Sequence, residues 1–281
     1  MDTARLAARE SRRRGRMASL SPEMTEHALR AAEIERLARL LHHDDRKQLP
    51  FQLSEIVGER TYLQHGVEVR KGDVVLDVGA NVGVAAAFFA SECGAGLVHS
   101  FEPVTPIFRM LSANLRHFPS CVGHNYGLSS SSRRAAITFY PNADAMSGLY
   151  ADANDDRARV RTYMLNRGMS AEEADRELDG RYHAVTLECE LRTLSSVLRE
   201  ESLERVDLLK IDVEKAELDV LRGIEEAEWS RIKQVVAEVH DEHGRGATIG
   251  RMLKSHGFSV TTEQDPMWRG TAMRMLYAIR Q

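Results

Sequence analysis

The sequence predicts an α/β fold in which helices cover both faces of a doubly wound, mostly parallel sheet. The first observation is a β-branched run at 74–76 that leads into a Gly-rich turn at 77–83 and an Ala-rich run at 84–90. This is the order expected for a buried strand, a turn and a packed helix. The second observation is that runs of strand length alternate with stretches of helix length along most of the remaining chain. Such alternation is typical of βα units joined in one sheet.

The first 50 residues are predicted to form a basic tail and a helical arm, and residues 51–281 the main domain. Six arginines within the first 16 residues are typical of a solvated tail, and contact with an acidic carrier protein or nucleic acid is the alternative. Ser21-Pro22-Glu23 has the pattern of a helix start. Apolar residues continue at helical spacing to residue 41, so this helix should pack over the domain or against a second copy.

The strand pattern of the main domain begins at residue 73. The predicted strands are 73–78, 97–102, 120–125, 135–140, 184–191, 206–212, 234–240, 257–262 and 273–280. The predicted helices between them include 104–117, 193–200, 215–227 and 247–256.

A charge-dense segment at 150–183 interrupts this alternation. Within it, Ser170 and Glu173 have capping-box spacing, which predicts a helix from about residue 171. The segment is therefore a helical insert. It is either a solvated excursion from the surface or a lid that helps to define a substrate pocket and excludes water.

Composition argues against several classes of protein. A net charge of −4 does not suit a general nucleic-acid binder. The three cysteines, Cys93, Cys121 and Cys189, form no CxxC pair and are typical of reduced thiols in a cytoplasmic protein. The longest apolar runs, near nine residues, are too short to span a bilayer, and the N-terminus has no apolar signal-peptide region.

The turn at 77–83 predicts a small-molecule site at the carboxyl edge of the sheet. Asn81 stands at the middle glycine of the dinucleotide fingerprint G-x-G-x-x-G, which disfavours a nicotinamide cofactor. Asp77 closes the strand, and a carboxylate there suits a ligand with an amino or sulfonium group. Glu102 ends the second strand, where an acidic residue can accept both hydroxyls of a ribose. These features fit S-adenosylmethionine.

The turn and the acid resemble motifs I and II of the class I S-adenosylmethionine-dependent methyltransferases, whose sheet is Rossmann-like. Lys-Ile-Asp-Val-Glu-Lys-Ala-Glu at 210–217 resembles the K-I-D-V-E-G-A-E signature of the FkbM-type methyltransferases. Val-Ala-Glu-Val-His at 236–240 resembles the next strand of that family. The resemblance covers roughly residues 60–280 and implies a terminal antiparallel pair of strands. Lys215 is a departure, because the family usually has glycine at this position.

The resemblance also implies a cofactor site. The methionine end of the cofactor should be lined by Asp77, Gly79, Ala80, Asn81 and Gly83. Glu102 is expected to hold the ribose. Asn125, at the end of the third predicted strand, should either meet the adenine edge or serve as a turn residue.

Methyl transfer to a hydroxyl requires near-attack geometry and removal of the hydroxyl proton by a base or a metal ion. Asp212 ends one predicted central strand, while Glu238 and His240 share one face at the end of the next. His240 is the first candidate for the base, because its unperturbed pKa lies near neutrality, and Asp212 or Glu214 is the alternative. A purely structural role for His240 at the sheet edge is also open. Asp212, Glu238 and His240 form a candidate site for a hard divalent ion such as Mg²⁺.

The predicted function is S-adenosylmethionine-dependent O-methylation of a small molecule. The resemblance implies a sugar or polyketide-type natural product, free or carrier-bound. Methylation of an amine or a nucleic acid is the enzymatic alternative, although the chain has no Pro-Pro and hence no [DN]-P-P-[YF] motif. A binding protein that retains the fold without activity is the third hypothesis. We expect a cytoplasmic location, and the sequence leaves a homo-oligomer open.

Overall fold

The computed structural model describes residues 22–281 and confirms the α/β prediction. The Arg-rich tail and Ser21 lie outside these residues. The strands in the described part are β1 (Val74–Val78), β2 (Leu97–Phe101), β3 (Cys121–His124), β4 (Gly127–Leu128), β5 (Arg133–Phe139), β6 (Val185–Arg192), β7 (Leu208–Ile211), β8 (Gln234–His240), β9 (Phe258–Glu263) and β10 (Met273–Arg280).

Seven strands form the main sheet, in the order β3-β2-β1-β7-β8-β10-β9. Strand β10 runs antiparallel to β8 and β9, as predicted for the C-terminal pair, and the other neighbours are parallel. The strand order reverses beside β1, which lies between β2 and β7. Open α/β sheets bind ligands outside the carboxyl ends of the strands at such a switch point. The turns after β1 and β7 therefore lie where a ligand is expected.

Strands β4, β5 and β6 form a separate sheet in the order β4-β6-β5. The sequence pattern predicts β5 and β6 as members of the parallel series, and this prediction is wrong, because they pair antiparallel from Arg133↔Leu191 to Phe139↔Val185. Many of their residues are exposed, whereas β1 and β7 are almost wholly buried. Strands with one solvated face are typical of antiparallel pairing, and continuously buried strands of parallel pairing.

The helices of the described part lie mainly on the two faces of the main sheet. They are α1 (Pro22–Leu40), α2 (Gln48–Gln52), α3 (Val84–Ser91), α4 (Thr105–Leu115), α5 (Ala153–Asn166), α6 (Ala171–Leu178), α7 (Leu194–Glu200), α8 (Glu217–Arg222) and α9 (Arg245–Ser255). A π-helix at Leu53–Gly58 continues α2 directly. The predicted helix in the insert is confirmed as α6, and both halves of the Ser170–Glu173 capping box are present.

The predicted helix 215–227 is shorter in the structure. Helix α8 begins at Glu217, because Glu214 and Lys215 have φ values of 46° and 74°, outside the right-handed helical region. It ends at Arg222, and a 3₁₀ helix at Glu226–Arg231 follows. A side chain at Gly223 would lie 2.2 Å from the carbonyl oxygen of Ser129, so the chain leaves the helix where only glycine fits.

Two apolar cores lie on opposite faces of the main sheet. Helices α3 and α4 bury one face, with Val75 and Val98 among the strand residues. Helices α7, α8 and α9 bury the other, with Leu76 and Leu209. Alternate residues of a strand point to opposite faces, so Val75 and Leu76 enter different cores. Burial of each such side chain contributes about 1.5–3 kcal/mol.

The helical arm packs over the domain, one of the two arrangements that the sequence leaves open. Leu37 and Leu41 are buried in the same core as α3. Arg60, which follows the π-helix, lies 3.0 Å from the carboxylate of Glu33 on α1. No helix within residues 22–281 has the length and apolar content needed to cross a bilayer.

Candidate active site

The turn between β1 and α3 depends on residues that can adopt a left-handed backbone. Gly79, Asn81 and Gly83 have φ values of 77°, 49° and 91°. A Cβ at Gly79 would lie 1.7 Å from the carbonyl oxygen of Asp212, so the turns after β1 and β7 touch here. Asparagine tolerates the left-handed region better than most residues, which explains how Asn81 replaces a glycine.

Glu102 lies beside this turn, on the wall of the cavity described below. Its carboxylate accepts hydrogen bonds from the backbone N–H of Val104 (2.8 Å) and of Asn81 (3.1 Å). Burial raises the pKa of Glu102 to about 8 despite these two bonds. Each carboxylate oxygen has a second lone pair, so the group can still accept hydroxyls, as the prediction for a ribose requires.

Asp77 lies beneath the turn instead of on the cavity wall. Its side chain is fully buried, and its Oδ1 lies 2.9 Å from Nζ of Lys210, its register partner on β7. Burial would lower the pKa of Lys210, but Asp77 and Asp212 outweigh this effect and raise it. The charge of Asp77 is therefore balanced within the protein. Asp77 is not among the residues that line the cavity, so the structure does not bring it to the position expected from the sequence.

Asn125 braces the loop after β2. Its amide donates to the carbonyl oxygen of Glu102 (2.9 Å), and its Oδ1 accepts from the hydroxyl of Thr105 (2.9 Å). Of the two roles that the sequence leaves open for Asn125, the geometry favours the structural one. The side chain fixes the backbone from which Glu102 projects.

A cavity of about 1000 Å³ opens at the carboxyl edge of β1, β2, β7 and β8. Its volume is at the upper end of the range of about 300–1,000 Å³ that is common for ligand pockets. One end is lined by Gly79, Ala80, Asn81 and Glu102. The opposite wall comes from α2 and the insert, with Phe51, Val160, Tyr163, Met164 and Met169, together with Trp268. The cavity thus has room for a cofactor and an acceptor side by side.

Three carboxylates, which we call the acidic end, line the cavity between these walls: Asp212, Glu214 and Glu238. Asp212 accepts a hydrogen bond from the hydroxyl of Tyr62 (2.8 Å). Burial and then the nearby charges of Asp212 and Glu214 raise the pKa of Glu238 well above its usual range. Burial alone would also raise the pKa of Glu214, but the nearby charges of Arg159 and His240 outweigh burial and lower this pKa. Neighbouring carboxyl groups with pKa values pushed apart are typical of acid–base sites.

His240 lies behind this end and does not line the cavity. Its Nε2 is 3.3 Å from Oε2 of Glu214, and its Nδ1 is 2.8 Å from Oε1 of the fully buried Glu217. Glu217, His240 and Glu214 therefore form a line of contacts that leads to the cavity. Within this line, Glu214 is the group that a substrate can touch.

The candidate metal ligands are only partly brought together. Glu238 and His240 do approach each other, but the third group within 4.8 Å is Glu214 and not Asp212. Arg159 occupies part of the same space, with its Nη2 2.8 Å from Oε2 of Glu214. The guanidinium already supplies the positive charge that a divalent ion would bring to Glu214.

The insert contributes Arg159 and an aromatic group to the site. Tyr163 on α5 lies 4.3 Å from Trp268 and 6.0 Å from Phe51, measured between ring centroids. The side chain of Arg159 is only 9% exposed. The insert therefore forms a wall of the cavity, and its role as a lid stays a prediction.

Four residues that shape the site are not predicted from the sequence: Tyr62, Asp156, Arg159 and Lys210. A signal exists for Lys210, which belongs to the segment 210–217 and follows an apolar run that predicts burial. Arg159 and Asp156 lie in a segment where most residues are charged, so nothing distinguishes them locally. Tyr62 lies ahead of the first predicted strand and belongs to none of the quoted motifs, and only the fold brings it to Asp212.

Comparisons with known proteins find a matching family model and several similar proteins. The model of the family described as "Methyltransferase FkbM domain" matches residues 77–260. The 31-O-demethyl-FK506 methyltransferase FkbM of Streptomyces tacrolimicus is 41% identical over 240 residues, which cover 85% of this chain and 92% of the relative. The AMB antimetabolite synthetase AmbE of Pseudomonas aeruginosa is 40% identical over 241 residues, which cover 80% of this chain and 11% of the synthetase.

Among solved structures, the crystal structure of methyltransferase FkbM from Methylobacillus flagellatus KT aligns with a TM-score of 0.47 at 13% identity. The alignment covers 91% of this chain and 60% of that chain.

Proposed function

The protein belongs to the FkbM family of methyltransferases, and on this basis we propose that it transfers a methyl group from S-adenosylmethionine to a hydroxyl of a small natural product. The acceptor class is a sugar or a polyketide-type molecule, free or bound to a carrier. The observation that supports oxygen as the acceptor atom is Glu214, a buried carboxylate that faces the cavity, where it can accept the proton of a hydroxyl.

S-adenosylmethionine supplies a methyl group on a sulfonium, which the acceptor oxygen displaces. In this mechanism Glu102 holds the ribose, and Gly79, Ala80 and Asn81, which line the same end of the cavity, contact the methionine end. The acceptor hydroxyl donates a hydrogen bond to Glu214, which takes the proton as the O–CH₃ bond forms and the S–CH₃ bond breaks. His240 supports Glu214 from behind and is itself held by Glu217. In this mechanism His240 is a positioning residue for Glu214. The hydrogen bond from the hydroxyl of Tyr62 orients the carboxylate of Asp212.

We propose that the reaction does not require Mg²⁺. A divalent ion at Glu214, Glu238 and His240 would have to lie beside the guanidinium of Arg159, 2.8 Å from Glu214. Like charges at such a distance repel each other strongly in a buried site. The guanidinium of Arg159 therefore supplies the positive charge that a metal ion would otherwise supply.

The acceptor wall favours a largely apolar scaffold. Phe51, Tyr163 and Trp268 present aromatic surface, and Met164 and Met169 present flexible apolar surface. Methionine adapts to irregular ligand shapes, and aromatic faces also stack on sugar rings. The names of the two relatives support a natural-product acceptor, since one is a methyltransferase of an FK506 precursor and the other an antimetabolite synthetase.

The first test is isothermal titration calorimetry of S-adenosylmethionine and of NAD with the wild type, with Glu102→Gln and with the exposed control Glu204→Gln. We expect micromolar binding of S-adenosylmethionine alone, weakened by about tenfold in Glu102→Gln and unchanged in Glu204→Gln. No binding to well-folded wild type would contradict the proposal and favour a non-catalytic protein.

The second test is a screen with radiolabelled methyl donor against macrolides, sugars, amines and RNA, with Mg²⁺ and with EDTA. We expect label in a hydroxylated small molecule under both conditions. Label in an amine or in RNA would overturn O-methylation, and loss of label in EDTA would overturn metal independence.

A further inference from the structure

A closed ring of four buried charges joins the insert to the turn after β7. Asp156 and Arg159 lie one helical turn apart on α5, and Glu214 and Lys215 are adjacent in the turn. Nζ of Lys215 lies 3.0 Å from Oδ1 of Asp156, Nη2 of Arg159 lies 3.1 Å from the same oxygen, and the same Nη2 donates to Glu214 at 2.8 Å. We call these four residues the insert ring.

The insert ring is buried and electrically balanced. Asp156 is 1% exposed, Lys215 6% and Glu214 8%, and the side chain of Arg159 is 9% exposed. Two acids face two bases, so each charge has an opposite neighbour. Removal of one member of a buried ion pair leaves an uncompensated charge, which is far more costly than the loss of a surface pair.

Lys215 maintains this ring from a conformation that lysine rarely adopts. Its φ of 74° lies in the left-handed region, which glycine enters at no steric cost. The backbone would therefore favour glycine here. The ammonium is the feature that glycine lacks, and it reaches Oδ1 of Asp156. The other carboxylate oxygen of Asp156 accepts hydrogen bonds from the hydroxyl of Tyr140 (3.3 Å) and the backbone N–H of Asp152 (3.0 Å).

We propose that Lys215 and Asp156 are positioning residues, which act through Arg159 to hold the insert as a fixed wall of the cavity and to keep Glu214 oriented toward the acceptor. The role of Glu214 in this statement rests on the proposed function. The attachment of the insert does not, because it follows from the three contacts alone.

The attachment is tested by hydrogen–deuterium exchange of the full-length protein without acceptor. In Lys215→Gln and Asp156→Asn, we expect the amides of 153–166 to exchange at least about tenfold faster, while those of 84–91 keep the wild-type rate. Arg157→Gln is the matched control, because Arg157 lies on the same helix and pairs at the surface with Asp175 (3.4 Å). It should change exchange by less than about twofold.

Comparison of Lys215→Gly with Lys215→Gln separates the effect of the lost charge from the effect of backbone strain. Glycine suits the turn, so this variant should fold, and faster exchange of 153–166 in it would show that the ammonium holds the insert. Lys215→Arg should restore most of the protection. Exchange within twofold of the wild type in both Lys215→Gly and Lys215→Gln would overturn the proposal.

The second readout is methyl transfer to an acceptor found by the screen described above. In Lys215→Gln we expect kcat to fall at least about tenfold, with S-adenosylmethionine affinity within twofold of the wild type. The acid limb of the pH profile should also move to higher pH, because Glu214 faces Glu238, Asp212 and His240 and depends on Arg159 for its positive neighbour. Unchanged kcat with faster exchange would limit the ring to a structural role. Absence of any methyl transfer by the wild type would contradict the proposed function and leave the exchange result intact.

Discussion

The turn after β1 and the turn after β7 lie against each other, yet they are built in opposite ways. The first contains two glycines and an asparagine in left-handed conformations, and its backbone packs closely because side chains are small. The second places Glu214 and Lys215 in the same conformational region. Those residues each cost about 1 kcal/mol in strain, and their side chains are held by α5. One turn is specified locally, and the other depends on partners about 55 residues away in sequence.

Under the proposed function, the first turn belongs to cofactor binding and the second to the chemistry of the acceptor. The glycine turn and Glu102 form a cofactor half that residues 77–102 largely define. The acidic end and the insert form an acceptor half that is assembled from distant segments. Substitutions should therefore affect binding and chemistry separately, except where the two turns touch.

The largest effect is expected at that contact. Gly79→Ala would place a Cβ 1.7 Å from the carbonyl oxygen of Asp212, so the two turns must move apart. We expect a loss of at least about 3 kcal/mol in the free energy of unfolding and loss of S-adenosylmethionine binding. Denaturant unfolding and calorimetry measure these effects.

Gly168→Ala is the matched control for Gly79→Ala. Gly168 has a φ of 87° and no atom within 4 Å of a built Cβ. It should lose only about 1 kcal/mol from left-handed strain. Equal losses in the two variants would show that strain, and not the contact between the turns, limits Gly79.

The next largest effect should fall on the acceptor half alone. Glu214→Gln removes the carboxylate that accepts the proton, and we expect kcat to fall by about 10²- to 10⁴-fold. The affinity for S-adenosylmethionine should stay within twofold, because Glu102 and the glycine turn are untouched. Steady-state kinetics and calorimetry give the two values. A larger effect on cofactor affinity than on kcat would contradict the division into halves.

The converse variant is Glu102→Gln, which addresses the cofactor half. We expect the Kd for S-adenosylmethionine to rise by about tenfold, the value of one or two lost hydrogen bonds. At saturating cofactor, kcat should change by less than about threefold. A fall in kcat comparable to that of Glu214→Gln would show that the two halves are not separable.

The smallest effect is a pH dependence of stability in the cofactor half. The pKa of Glu102 is about 8 in the folded protein, against an ordinary value of 4.5. The folded state therefore holds a proton that the unfolded chain releases, so this contribution is complete below pH 4.5 and is lost as the pH rises to about 8. Glu55, whose pKa burial also raises to about 8, acts in the same direction.

Thermal melts at pH 6 and pH 9 test this sign. The fall in Tm between the two values should be about 3–10 °C smaller in Glu102→Gln than in the wild type, because only Glu55 then contributes. Identical falls in both proteins would contradict a raised pKa at Glu102.

The same division explains what the sequence could predict. The main strands and the β1 turn follow from local patterns, since buried runs and positive φ values restrict the residues allowed. The antiparallel C-terminal pair follows from the family resemblance. Glu102 is identified by its place at the end of β2. Asp77 was expected at the ligand, but the fold pairs it with Lys210, and no local pattern reveals a partner on another strand.

The acceptor half was predicted less well, for a physical reason. His240 and Glu238 share a strand, so their proximity follows from the period of two. Glu214 comes between them and Arg159 because of a left-handed turn that propensities do not favour. Arg159 and Asp156 are two charges among many in the insert, and their burial is visible only in three dimensions.

The insert ring also sets a rule for building chimeras. Two of its members belong to the segment 150–183 and two to the turn before α8, so neither segment is an independent module. An insert transplanted from a relative to alter acceptor choice would bring its own charges and leave Lys215 or Glu214 facing the wrong partner. Residues 150–183 and 212–216 should therefore be exchanged together when a chimera is built.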